Sequence, residues 1–228
     1  MLNSESVVLN YLLVDFHTHT EFSTDSLTSP AKLIATAKRK GIDRIVVTDH
    51  NEIEGAFRAK DIDPERIIIG SEIETTQGEI LAAFMTEAVP SGLPPTEAIS
   101  RLRDQKAFIS ISHPFDPTRK GGWRVDALEK IVPLIDAVET FNARCFLPRY
   151  NWIADEFAKK HDLLGTHGSD AHAAFEIGRG SLLIPQFSDS DSLKCSLLQA
   201  VSPRLTLSSP FIHLTSRYAT WIKKLRSS

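Results

Sequence analysis

Residues 11–50 read YLLVDFHTHTEFSTDSLTSPAKLIATAKRKGIDRIVVTDH, and their order decides the fold. The apolar run Tyr11 to Phe16 predicts a strand. Ser29-Pro30 then supplies a helix start, Leu33, Ile34 and Ala37 an apolar stripe, Lys38 to Lys40 a basic last turn, and Gly41 a stop. Arg44 to Asp49 predicts a second strand, so the stretch is a strand, a capped helix and a strand, the unit from which parallel sheets and barrels are built. Both strands end on residues with ligand chemistry, Asp15-Phe16-His17-Thr18-His19 and Asp49-His50.

Working outward, the alternation continues. Glu52 to Lys60 predicts a short helix, Ile67 to Glu72 a strand, Thr75 to Gly78 a turn and Glu79 to Phe84 the return strand of a hairpin. Helices are expected at Pro94 to Gln105, Val125 to Ile131 and Asn151 to Lys160, with strands at Phe108 to Ser112, Ala137 to Thr140, Leu164 to His167 and Ser181 to Ile184. Seven or eight strands with intervening helices make a small, irregular barrel. A helical piece at Ser192 to Val201 follows. In the tail, residues 211–228, Leu214, Tyr218, Trp221, Ile222 and Leu225 recur at helical spacing opposite Lys223, Lys224 and Arg226. That pattern is expected to pack on the barrel, the alternative being a membrane-surface or partner-binding helix.

Composition narrows the class. With 228 residues the chain buries a full core and reads as one domain spanning residues 1–228. Twenty-six basic against 29 acidic residues argue against a chain that coats nucleic acid or anionic lipid. Cys145 and Cys195 have no metal spacing and are expected to be free thiols. The apolar stretch from Val7 to Val14 is broken by Asn10 and lacks a basic flank, so neither a signal peptide nor a membrane span is expected, and a cytoplasmic location follows.

The chemistry sits just after the strands. Glu72 closes the third, His113 follows Phe108 to Ser112, and Asp170-Ala171-His172 follows Leu164 to His167. In a parallel barrel those ends share one face, and imidazoles and carboxylates crowded there are costly unless a cation is bound among them. His17 and His19, two apart, point the same way on a continuing strand and can share an ion. Asp15 and Asp49 are better placed to orient an imidazole through its second nitrogen than to bind metal. Asp25 reads alone as a loop residue and Glu79 divides between site and solvent. His161 and His213 read as structural, and His167, inside a strand, as packed or standing behind the ligands.

The ordered segments DFHTHTEFSTD, TDHN, GSEIET, ISHP, ETFNAR and GSDAH, spread over about residues 12 to 185, resemble the PHP family, named for polymerase and histidinol phosphatase domains. The resemblance implies a distorted (β/α)7 TIM-like barrel with two or three divalent ions, Mn, Fe or Zn, and hydrolysis of a phosphomonoester or phosphodiester by a metal-bridging hydroxide with no side-chain nucleophile. Carried over by position, one ion is held by His17, His19, Glu72 and Asp170, a second by Asp25, His50 and His172, and a third by Glu72, His113 and Glu79. Glu79 departs from the histidine found there in many members, which makes the third site richer in oxygen and tilts it from Zn towards Mn, Mg or Fe. If Glu79 turned outward, that ion would be weak or absent. Arg144 and Arg179, after later strands, are expected to hold phosphate through forked hydrogen bonds, and Asn142 fits a substrate position or one behind the ligands.

The expected substrate is a small phosphorylated metabolite or nucleotide, with nucleic acid a partner only as substrate. A 5'-3' exonuclease or oligonucleotide hydrolase is the variant reading, for which Trp123 with Arg119, Lys120 and Arg124 would offer stacking and charge, although this group also reads as a solvated loop. An amidohydrolase would need a lysine ending a mid-barrel strand, which the sequence lacks; a non-catalytic metal-binding module would not turn over a phosphoester with Mn.

Overall fold

The computed structural model describes residues 10–119, 121–203 and 205–227; residues 7–9 of the first apolar run and Lys120 of the basic loop lie outside the described residues. Eight strands form one sheet: β1 (Tyr11–Thr18), β2 (Arg44–Val47), β3 (Ile67–Glu74), β4 (Glu79–Ala83), β5 (Phe108–Ile111), β6 (Ala137–Asn142), β7 (Leu164–Gly168) and β8 (Leu182–Pro185). Their spatial order is β7-β6-β5-β4-β3-β2-β1-β8. All neighbours are parallel except where β4 meets β3 and β5 and where β8 meets β1. The sheet curls until Thr18 bridges Ala171, beyond the end of β7, while the His19 N–H donates to the Ala171 carbonyl and the Asp170 N–H to the His17 carbonyl. The result is the expected distorted barrel, nearly closed, with a hairpin replacing one helical crossover.

Five helices cover the connections: α1 (Pro30–Lys40), α2 (Glu54–Ile62), α3 (Pro95–Asp104), α4 (Val125–Ile131) and α5 (Pro148–Lys160). The α1 caps are those the sequence announces: Ser29 Oγ accepts from the Lys32 N–H, Pro30 needs no donor, and Gly41 takes the left-handed conformation with φ of 69°. Helix α5 begins at Pro148, three residues before the expected start, because proline is suited to a first turn. Inside the barrel, Val14, Phe16, Val46, Ile68, Phe108 and Leu182 form an apolar plug, closed below by Leu193 and Leu197 of α6 (Ser190–Leu197). That helix is shorter than expected: Asp189 and Ser192 cap its start, and Val201 leaves it to pair with Leu183.

The tail forms α7 (His213–Ser227), with its apolar stripe reversed from the expected orientation. Ile212 and Ala219 are buried, whereas Leu214, Tyr218, Trp221 and Leu225 are each more than half exposed. Polar anchors select the packed face: Ser216 Oγ accepts from Arg144 Nη2, and Lys223 Nζ donates to the carbonyls of Glu21 and Ser23. Among the described residues no helix is long and apolar enough to cross a membrane.

Candidate metal centre

Above the apolar plug the strand ends turn polar, and β-bulges set which side chains face inward. Asp15 pairs with Ile45 and Thr18 with Val47, so β1 has one extra residue against β2. The alternation that buries Val14 and Phe16 in the plug would otherwise turn His17 outward; the extra residue resets it. β6 has a similar irregularity between Glu139 and Phe141. Beyond the strands, His113 and Asp170 take left-handed backbone conformations, with φ of 22° and 51°, uncommon for residues with a Cβ and characteristic of functional sites.

Glu72 lies at the centre. Its Oε2 is 3.2 Å from His17 Nε2, 3.5 Å from His19 Nε2 and 3.1 Å from His50 Nδ1. Its Oε1 is 3.1 Å from His113 Nε2 and accepts from Ser112 Oγ at 2.5 Å. Asp170 Oδ1 lies 3.7 Å from His17 Nε2 and 3.4 Å from His19 Nε2, and the two imidazole nitrogens are 3.0 Å apart. On the open side Asp25 Oδ2 is 2.9 Å from His172 Nε2 and Oδ1 is 3.6 Å from His50 Nε2. Among the described residues three groups have donors close enough to share an ion: His17, His19 and Glu72; His19, His50 and His172; and Glu72, Glu79 and His113. All nine residues expected to be ligands therefore gather on one face.

Glu79 turns inward, its Oε2 3.6 Å from His113 Nε2, so the outward alternative fails on geometry. Burial and then the Glu72 charge push its carboxyl up to about 7. Burial opposes the charge on Asp25, yet His172 and His50 hold its carboxyl well below the usual range. Burial, with His172 and His50 nearby, pushes His19 well below the usual imidazole range, favouring the neutral form a cation needs.

The donor set fits a divalent ion. Four ligands about 2.1 Å from a tetrahedral centre stand about 3.4 Å apart. His17 Nε2 and His19 Nε2 lie 3.0 Å from each other and 3.2 to 3.7 Å from Glu72 Oε2 and Asp170 Oδ1, close to that edge. Asp25 Oδ1 is also buried without a hydrogen-bond partner, a costly state that a cation would relieve.

The residues behind these donors differ from expectation. Asp15 spends its carboxylate on backbone N–H groups, Oδ1 on Ser169 and His17 and Oδ2 on Gly178, and orients no imidazole. The group that does is Glu139, whose Oε1 is 2.9 Å from His17 Nδ1 and whose Oε2 accepts from the His113 N–H. Its position inside a buried strand, the same signal that singles out Glu72, marks it in the sequence. Asp49 acts one step away: Ser23 Oγ donates to Asp49 Oδ1 and lies 3.0 Å from His19 Nδ1.

The expected phosphate-binding side chains are already engaged. Asn142 donates to Glu139 and to Asp170 Oδ2, fixing the carboxylates from behind. Arg144, 2% exposed, pairs with Glu176 and bonds Ser216, the Ile212 carbonyl and His172, because its strand end turns it under the tail. Arg179 donates to the Leu207 carbonyl. Arg119 also reaches the site, its Nη2 bonding Asp170 Oδ2 at 2.5 Å. Its loop was expected in solvent, but Trp123 is buried and its Nε1 donates to the Glu79 carbonyl, which draws the loop over the hairpin. Cys145 is buried and Cys195 exposed, both free.

The PHP domain family matches residues 15–120 and the PHP-associated family residues 148–197. An uncharacterized protein of Methanocaldococcus jannaschii is 37% identical over 143 residues, 57% of this chain and 81% of its own length. The "Probable histidinol-phosphatase" of Thermotoga maritima is 27% identical over 205 residues, 74% of this chain and 88% of its own. In fold, the chain is similar to a two-domain protein of Bacteroides vulgatus containing a predicted PHP-like metal-dependent phosphoesterase, with a TM-score of 0.68 and 18% identity over 92% of this chain and 70% of that one. The first match includes the strand ends bearing His17, His19, His50, Glu72 and His113 and the second those bearing Asp170 and His172, and the chain belongs to the PHP domain family.

Proposed function

We propose that the protein is an enzyme, a metal-dependent hydrolase of phosphate esters, acting on a small phosphorylated metabolite or nucleotide. The observation that carries this reading is the buried set His17, His19, Glu72 and Asp170, flanked by donors for further ions at Asp25, His50 and His172 and at Glu72, His113 and Glu79. Divalent ions held there would supply Lewis acidity and positive charge where a phosphate ester meets the attacking water.

The remaining roles belong to the protein. Glu139 fixes the His17 ring so that Nε2 faces the cluster, and Ser23, held by Asp49, does the same for His19. Ser112 secures one oxygen of Glu72, leaving the other among the histidines. Arg119 and Asn142 share Asp170 Oδ2, which leaves Oδ1 facing His17 and His19. The buried Trp123 cannot stack on a base, which favours a small ester over an oligonucleotide.

The test combines elemental analysis with turnover. Purified protein should carry divalent ions, lose activity in chelator and regain it with Mn on at least one of mononucleotides, nucleoside bisphosphates, sugar phosphates, histidinol phosphate or short RNA. His17→Ala and Asp170→Ala should each remove most of one ion. Unchanged metal content in both variants would sink the ligand assignment, and no metal-dependent turnover across the panel would leave a non-catalytic metal-binding module.

A further inference from the structure

The charge of the chain is near balance overall but uneven along it. Residues 192–228 hold six basic side chains and no acidic one, and four of the six, Arg217, Lys223, Lys224 and Arg226, fall in α7. The rest of the chain is correspondingly acidic. On α7 the residues Leu214, Tyr218, Trp221 and Leu225 follow one another four, three and four positions apart, which places them on one face. That face points away from the barrel, because Ile212, Ala219 and the anchored Ser216 and Lys223 occupy the other.

The outward stripe is wider than the helix alone. The Tyr218 and Trp221 rings stand 6.1 Å apart. Phe211, 77% exposed, extends the stripe at its start, and the exposed Phe146 shares a hollow with Phe211 and Leu214. A contiguous apolar patch of this kind marks a surface that meets something else. Arg217 and Lys224, each three positions beyond a member of the stripe, border it on one side and Arg226 on the other.

Charge and shape choose the occupant. A second copy of the chain would meet this face with the same face in a two-fold contact, setting basic border against basic border with no acidic residue of the helix between them. A protein groove that encloses a basic amphipathic helix needs more of its circumference than α7, held to the barrel along its other side, can offer. A flat anionic surface needs only the outward half. Aliphatic and aromatic side chains enter the boundary between headgroups and acyl chains, Tyr and Trp keep their polar ends among the headgroups, and Lys and Arg at the border meet the phosphates.

We propose that α7 docks the protein on an anionic phospholipid surface, lying in its plane through Leu214, Tyr218, Trp221 and Leu225 with Arg217, Lys224 and Arg226 on the headgroups. Docking of this kind is peripheral and salt-sensitive, and it leaves the barrel outside the bilayer.

The probes are vesicles of phosphatidylcholine alone and of phosphatidylcholine with phosphatidylserine, cosedimented with the full chain. Wild-type protein should bind the mixed vesicles about tenfold more tightly or better, and raised salt should weaken that binding. Arg217→Gln and Lys224→Gln should each weaken it about fivefold, the worth of one basic side chain at an anionic surface. Trp221→Ala should weaken it about tenfold through the loss of a buried ring. Trp221→Phe should keep most of the binding but lose the blue shift of tryptophan emission that insertion of the indole produces, since Trp123 is buried in the barrel and Trp152 lies on α5. All three positions are exposed, so thermal melts of these variants should match wild type. Absence of binding to the mixed vesicles, or equal binding to phosphatidylcholine alone, overturns the proposal. Binding that the charge variants weaken while Trp221→Ala leaves it unchanged, with no shift in emission, reveals a polyanion surface that inserts nothing and overturns it too. A dimer in sedimentation velocity that Trp221→Ala dissociates shows that a second copy covers the stripe, and likewise overturns it.

Discussion

Glu139 touches no solvent and lies behind the donors, yet it links His17 Nδ1, the His113 N–H and Asn142 Nδ2. A carboxylate against the second nitrogen of an imidazole fixes its tautomer and raises its basicity, and loss of such a partner typically costs about 10- to 100-fold in metal affinity. Glu139→Gln preserves shape and removes the charge, so it should weaken the ion at His17 and His19 by about that factor while sparing the one at Asp25 and His172; equilibrium dialysis followed by elemental analysis measures both. Glu79 is more exposed to choice of metal. Glu79→His replaces a hard oxygen donor by imidazole and should move the preference of the His113 site towards Zn, whereas Glu79→Ala should weaken that ion and lower turnover. Metal stoichiometry, with activity against Mn and Zn concentration, reads both effects, and no change in either variant would exclude Glu79 as a ligand.

At the scale of elements, the site depends on strands that break their own regularity. The bulge in β1 turns His17 towards Glu139, which regular alternation with Ala137 already points inward, and the end of β7 must pass close to both. Gly168 fills that position: a Cβ there would collide with His17 Cβ and Glu139 Oε1. Gly168→Ala is therefore an overpacking substitution, expected to cost about 1–3 kcal/mol and several degrees of melting temperature. It should also lower retention of the His17 ion, a loss that elemental analysis would separate from simple destabilisation. The tail helix teaches a different point. Its apolar periodicity is real, but hydrogen bonds from Arg144 and Lys223 choose the smaller, more polar face for packing and leave the stripe of Tyr218 and Trp221 outside.

Across the whole molecule, burial couples ionisation to folding away from the metal centre as well. His167, packed against the Phe141 ring, is pushed by burial from the ordinary 6.5 to about 4. Its folded pKa lies below its unfolded one, so the unfolded chain binds more protons between those values. The stabilisation from keeping His167 neutral is present above pH 6.5 and is lost as pH falls towards 4. His167→Phe should flatten the pH dependence of the urea midpoint in that window by up to one proton, about 1.4 kcal/mol per pH unit, when compared with wild type in chelator. The barrel and its ligand face were legible in sequence because they rest on local signals: strand-length apolar runs, the Ser29-Pro30 and Gly41 caps, and histidines and acids placed at strand ends. Glu139 was equally local, a charge within a buried strand. Which carboxylate meets which imidazole, and which ligand Arg119 and Arg144 each bond, was settled only by tertiary structure. A bulge or a loop anchored by Trp123 redirects a side chain through contacts between residues far apart in the chain, and the spacing of residue types carries no record of those contacts.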